Sequence, residues 1–370
     1  MFATLLGALP RPPLGDTVPA GTAAELDALV ELAIRAQEAA GLEPITDGRL
    51  RDPGFERLAA ALGAVAGDGS AASSGGRGNP ATLPGSGSAG GRPESATVEG
   101  WRFAAGLTDR AVKQALPGPY TLGRLGMDPP RPVSEKARLL MGTAKGLERE
   151  RRRERERDRD RGRRTLAIAD ALHSEVDALA AAGCPLIEIE ELDAHLIGDD
   201  EAERRLFREA HRRLTAGVEG THLSLSVVGG STAGAGVATI LDAAYASLAV
   251  DLIAGPESWN VVAETPGDRG VVVGVVAGRE RDEPMEVLLW AAHYAASTGG
   301  RGPARVGLGS AGGYANLTWE AAVRKMQQLG AAARLAAMPP SEELARSLDP
   351  ASISARRAAL GHDAPRPPRR

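Results

Sequence analysis

Residues 183–193 read GCPLIEIEELD, and this short stretch decides the fold class. The helical pattern Leu166–Ala182 ends at Gly183, the residue type that closes a helix by taking a left-handed conformation. A short apolar run then follows, rich in Leu and Ile and broken by acids at every second position. It is too short for a helix and reads as a strand. Helix, glycine and short apolar run therefore form one unit, and similar units recur along the chain.

The candidate strands number eight: Ala3–Gly7, Glu43–Thr46, Val112–Pro117, Leu186–Glu190, His222–Val228, Val250–Ala254, Gly270–Val276 and Ala304–Leu308. Helical patterns lie between them, among them Thr22–Ala40, which starts on Thr and acids and stops at Gly41, and Thr318–Leu329. Apolar strands alternating with helices imply a parallel sheet covered by helices. Eight units favour an α/β (β/α)8 TIM barrel, in which reactive groups gather at the C-terminal ends of the strands.

The 370 residues, 43% apolar and 25% charged, suffice for a core of ordinary size and exclude wholesale disorder. The barrel is expected as a single domain over 1–335 with two insertions, followed by a Pro- and Arg-containing tail over 336–370. One insertion, 67–92, has 14 Gly or Ser in 26 residues and reads as a flexible loop. The other, 148–164, has ten Arg and six acids and reads as a solvated charged helix, a possible surface for a protein partner. Interleaved acids and a chain net charge of −4 argue against nucleic-acid binding. No apolar run is long enough to span a bilayer, so no membrane association is expected and a cytoplasmic location is. The single cysteine, Cys184, excludes an intrachain disulfide framework and a zinc site of several thiolates.

Candidate site residues follow from strand ends. Glu188 and Glu190 share one face of their strand, which points into the barrel, and Glu191 follows at its end. Carboxylates inside a barrel need a cation, a donor-rich substrate or a structural partner, for which Arg49 is the candidate. His222 opens the fifth strand with Ser224 and Ser226 at i+2 and i+4. Asp47, Arg49, Tyr120, Thr121 and Ser310 occupy other strand ends. Gly307, Gly309 and Gly312 match a dinucleotide-type spacing, but no second strand follows, so they read as glycines giving a ligand close approach.

Several segments, in order, resemble the cobalamin-independent methionine synthase family and its single-barrel relatives. LLGALPRP (5–12) is similar to a strand ending Gly-Ser-x-Pro, and RAQEAAGLEPITDGRLR (35–51) to a segment containing Gly-Leu-Asp-x-x-x-Asp-Gly-Glu. LPGPYTL (116–122) resembles Pro-Gly-Pro-x-Thr-Leu, GCPLIEIEEL a strand Ile-Gln-Ile-Asp-Glu-Pro, and THLSLS (221–226) a strand Thr-His-x-Cys. The resemblance implies the (β/α)8 fold and methyl transfer from a methylated folate to a thiol held by zinc. Of the implied ligands, one His, two Cys and one Glu, His222 is retained as a weak remnant. Ser224 replaces the first Cys, the second falls near Ala311 or Gly312, and the Glu near Pro256 or Glu257. Among the implied substrate contacts, Ala8 replaces Ser, Arg49 replaces Glu, and Glu190, Glu191 and Leu192 stand for Asp-Glu-Pro.

Zinc is therefore not expected, and no cofactor is certain. The expectation is a methyl or one-carbon transferase for a small-molecule, non-homocysteine acceptor with a methylated folate-type donor. His222, Glu188, Glu190 and Glu191 are its candidate catalytic residues. Asp47, Arg49, Ser224, Ser226, Ser310, Tyr120 and Thr121 are its substrate contacts. The alternatives are a noncatalytic ligand-binding or partner-subunit barrel and, third, a zinc-dependent homocysteine S-methyltransferase.

Overall fold

The structure is a computed structural model that describes residues 1–14, 21–65, 95–125, 144–338 and 342. The loop expected over 67–92 and the tail beyond Met338, apart from Glu342, lie outside the described residues. Seven strands, β1 (Phe2–Thr4), β2 (Lys113–Pro117), β3 (Leu186–Glu191), β4 (His222–Val227), β5 (Ser247–Asp251), β6 (Gly270–Ala277) and β7 (Val306–Ala311), form one all-parallel sheet. Its order is β1-β7-β6-β5-β4-β3-β2. The curled sheet carries its helices on the outer face and is consistent with a TIM-barrel-like α/β fold.

The remaining expected strand, Glu43–Thr46, is reduced to a single parallel bridge between Ile45 and Val112. It nevertheless touches both sheet edges. The Glu43 amide donates to Ala3 O of β1 at 2.8 Å, the Ile45 amide to Ala111 O at 2.9 Å, and the Lys113 amide of β2 to Ile45 O at 2.9 Å. Three other strands shift from expectation, the first being β1, which ends at Thr4 where the sequence reading runs to Gly7. β5 begins at Ser247 and ends at Asp251, whose carboxylate accepts from the Ile253 and Ala254 amides and turns the chain. β7 begins at Val306 because Pro303–Arg305 forms a 3-10 turn.

The helices obey their local signals. In α1 (Ala23–Ala40) Thr22 caps the first turn and Gly41 closes the last at φ 81°. After α2 (Glu56–Val65), α3 (Ala96–Ala105) and α4 (Pro119–Arg124) comes α5 (Ala144–Ala181), 38 residues long. The charged run and the helix expected over 166–182 are thus one continuous element, because nothing between Arg164 and Leu166 breaks it. Then follow α6 (Glu201–Thr215), α7 (Val237–Ile240), α8 (Trp259–Glu264), α9 (Met285–Ser297) and α10 (Trp319–Ala336).

The two faces of the sheet bury different things. Ile187 and Ile189 join Leu172, Val176 and Phe207 in the large core between sheet and helices. Inside the curl, Leu6, Val228, Ala249 and Val272 form a small separate apolar cluster against Phe2. The Phe2 ring fills the space that a side chain at Gly307 would need, so that glycine serves packing. Among the described residues no helix is long and apolar enough to cross a membrane.

Candidate functional site

The inner face of β3 places Glu188 and Glu190 beside the inner face of β4, with Glu188 in register with Ser224 and Glu190 with Ser226. All four side chains are buried. Each carboxylate has a cation from the chain itself. Lys113 of β2 bonds Glu188 at 2.8 Å, and Arg49 bonds Glu190 at 2.5 Å. Both pairs are almost completely shielded from solvent. Among the described residues, four polar atoms in this cluster find no hydrogen-bond partner: Glu188 Oε1, Glu190 Oε1, Ser226 Oγ and Arg49 Nε. Burial raises the Glu190 pKa, the Glu188 charge adds to the rise, and Arg49 and Lys113 oppose it.

Arg49 reaches this place from the segment after the 43–46 bridge. Its backbone is left-handed at φ 55°, as is that of Phe55 at φ 62°. Such conformations are costly for large side chains and persist only where their surroundings impose them. Here the Asp47 carboxylate accepts from the Arg49 amide at 2.8 Å, the guanidinium donates to Pro53 O, and it lies 3.8 Å over the Phe55 ring. Burial pushes the Asp47 carboxyl pKa up.

Glu191 faces the opposite way, as strand alternation requires. It is fully buried and accepts from the Tyr120 amide at 2.9 Å, the Thr121 amide at 2.8 Å, the Thr121 hydroxyl at 2.5 Å and His211 Nε2 at 3.0 Å. The Tyr245 hydroxyl completes the chain at 2.6 Å from His211 Nδ1. A side chain at Gly118 would collide with Glu191, so this turn admits only glycine. Tyr120 turns its hydroxyl away from the curl, donating to Glu203 at 2.5 Å. Glu191, Tyr120 and Thr121 therefore form one outer network that fixes the β2–α4 turn.

The other expected site residues lie apart. Ser310 is tied to the backbone of Leu6, accepting from its amide at 2.7 Å and donating to its carbonyl at 3.0 Å. His222 is the first residue of β4, with Nε2 at 2.8 Å from Ser247 Oγ. Four residues of strand separate it from Ser226, about 13 Å at the usual rise. His222 thus stands at the end of the sheet away from Arg49 and Glu190.

Two partners in these networks were not singled out from the sequence. Lys113 shares strand parity with Ala115 and Pro117, so a lone cation on the inner face was its signal. His211 lies on the apolar stripe of α6 between Phe207 and Leu214, where a buried histidine needs partners on both nitrogens.

The donor set implied for zinc does not fit these residues. A hydroxyl at Ser224 replaces a thiolate, His222 is engaged by Ser247, and no group of three or more His, Cys, Asp or Glu among the described residues is arranged to hold a metal. Cys184 is fully buried, donates to Leu186 O at 3.3 Å, and its thiol is pushed up to about 11 by burial. A neutral buried thiol is inert. We expect no reaction of the native protein with an aromatic disulfide reagent at pH 8 and release of one equivalent in denaturant; rapid labelling of the native form would contradict this burial.

These features define a class by architecture: a parallel, helix-covered, barrel-like sheet with an ion-paired interior. Solved structures of the same architecture include a B12-independent methionine synthase from Shewanella sp. W3-18-1 in complex with selenomethionine, with TM-score 0.64 and 14% identity over 90% of this chain and 96% of that one. A protein assigned as a vitamin-B12-independent methionine synthase from Listeria monocytogenes matches with TM-score 0.56 and 14% identity, over 90% and 97% of the two chains. At such identity the likeness is one of fold. No protein-family model matches the chain, and no curated protein matches it in sequence.

Proposed function

We propose that the chain is a methyl or one-carbon transferase of methionine-synthase-like architecture, acting on a small non-thiol acceptor at the C-terminal ends of its strands. In this reading Glu43–Thr46 is the eighth position of a closed (β/α)8 barrel. Support comes from the near-complete overlap with the two structures above and from the ordered sequence segments shared with the family. The observation that carries the site is the Arg49–Glu190 pair, which sets a cation and a carboxyl of raised pKa side by side under a strained turn. A carboxyl poised in this way can hold or release a proton for an acceptor hydroxyl or amine.

Glu188 would then orient the acceptor, with Ser226 as a further hydrogen-bond partner. The β2–α4 turn at Tyr120 and Thr121, held from below by Glu191, would support a methylated folate-type donor. His222, at the far end of β4, would have a supporting role. The exposed part of α5 is proposed as a surface for a protein partner, and no nucleic acid or membrane is proposed.

A second reading, a noncatalytic ligand-binding barrel, is favoured by one fact: the interior carboxylates are already neutralised by Lys113 and Arg49. Calorimetric titration with methylated folate decides between them, followed by a screen for methyl transfer to hydroxyl, amine and thiol acceptors. Binding by the wild type, weakened in Thr121→Ala, together with turnover lost in Glu190→Gln, supports the transferase. No binding of any methylated donor by the wild type would overturn it.

A further inference from the structure

The charged part of α5 stands clear of the body. α5 and α6 run side by side in the same direction, Arg161 against Glu203 and Asp170 against Arg213. Because α6 starts only at Glu201, the turns of α5 before Arg161 pass its end and extend about 15 Å further at the usual rise, on the side where the strands end. Residues 151–160 are exposed throughout. Their charges alternate in sequence, but on a helix the neighbours are the residues three and four apart. Like charges therefore stack: Arg155 and Arg159 lie in one row, Glu156 and Asp160 in the row beside it, each stepping by about 6 Å. Ile168, Leu172 and Val176 face the sheet, and the helical period puts both rows on the opposite half of α5. The arm does not neutralise itself. Arg149, Arg151, Arg153, Arg155, Arg157 and Arg159 form no ion pair with any described residue. Glu156 meets Arg152 at 3.8 Å and Asp160 meets Arg163 at 2.5 Å, yet their side chains stay 62% and 67% exposed and can accept a second cation.

We propose that the partner of this surface is a second copy of the chain, the two arms crossing so that the Arg155–Arg159 row of each lies along the Glu156–Asp160 row of the other. Rows of four-residue spacing come parallel when two helices cross at about −50°. A two-fold axis along the bisector of two arms pointing the same way sets arginine opposite acid on both sides. An antiparallel pair would set arginine on arginine. A uniformly anionic partner meets the acid row as repulsion, whereas a surface with the same two rows satisfies both, and the arm itself is such a surface. With 148–164 at +4 in a chain of net −4, the rest of the chain carries −8, so the arm of one copy is also drawn toward the body of another. Exposed ion pairs are individually weak, so the association is reversible and salt-dependent. This deepens the reading of α5 as a protein-partner surface and is independent of the chemistry at the strand ends.

The test is sedimentation equilibrium of the full chain at about 100 μM, in about 50 mM and about 500 mM salt. A dimer is expected at low salt, with a dissociation constant about tenfold or more higher at high salt. Arg155→Glu with Arg159→Glu makes both rows acidic, and Glu156→Arg with Asp160→Arg makes both basic. Each variant alone should be monomeric, and an equimolar mixture of the two should return to a dimer. Circular dichroism checks that the arm stays helical; if a reversed arm frays, Arg155→Gln with Arg159→Gln should weaken the dimer about tenfold. The pairing is overturned if the wild type is monomeric at low salt, if its dimer ignores salt, or if the mixed variants stay monomeric. A dimer that both variants retain would remove α5 as the partner surface altogether. Methyl transfer at the strand ends is read separately, by turnover, and stands or falls on its own.

Discussion

Replacing Glu191 by alanine lowers the unfolding free energy by about 3–5 kcal/mol, the cost typical of removing one partner from a buried ionic network. The size follows from the number of groups left without an acceptor: two backbone amides at the start of α4, the Thr121 hydroxyl and His211. None of these has water within reach, since Glu191 and His211 are both fully buried. Glu191→Gln keeps the shape but turns an NH2 group toward donors, so it recovers only part of the loss. The midpoint of urea unfolding measures both variants. A shift worth less than about 1 kcal/mol in Glu191→Ala would show that the network contributes no more than an ordinary hydrogen bond.

Lys113→Met is expected to be comparably damaging, again by about 3–5 kcal/mol, because it leaves the Glu188 carboxylate buried without its cation. The informative result is the double variant. Lys113→Met combined with Glu188→Leu removes both charges and replaces them with apolar volume, and it should lie within about 2 kcal/mol of the wild type. Urea midpoints of the single and double variants measure the difference. A double variant as unstable as the single one would mean that Lys113 acts through packing of its stem and not through charge.

Much of the architecture was readable in the chain. The glycine-terminated helices, the apolar runs and the acids at alternate positions of 186–191 fixed seven strand locations to within a few residues. The remaining one, Glu43–Thr46, is a single bridge to Val112 with one further backbone bond to Ala3. Arg49 was a candidate structural partner for the acidic run of β3, and the structure pairs it with Glu190. Other parts were hidden for physical reasons. Lys113 is a lone cation in an apolar strand, and only the folded structure shows its side chain reaching diagonally from its place opposite Leu186 to Glu188. Alternation put Glu188 and Glu190 on one face, but Glu191 was grouped with them, although the same alternation sends it outward to Thr121 and His211. His222 was weighed by its neighbours in sequence, whereas its function depends on which end of β4 it occupies.

The pairing of β1 with β7 has a kinetic consequence. Leu6 and Ser310 meet across 304 positions, and the β1–β7 ladder runs only from Phe2 to Thr4. Closing a loop of that length costs about 5 kcal/mol of chain entropy, offset by the short β1–β7 ladder, the Tyr314 amide on Ala8 O at 2.7 Å and the burial of Ala3, Leu5, Leu6 and Leu9. The β1–β7 edge should therefore pair late and open before the middle of the sheet. Amide exchange at Ala3 and Thr4 should run faster than at Ile187 or Leu225, so that this edge of the sheet unlatches while its middle stays shut.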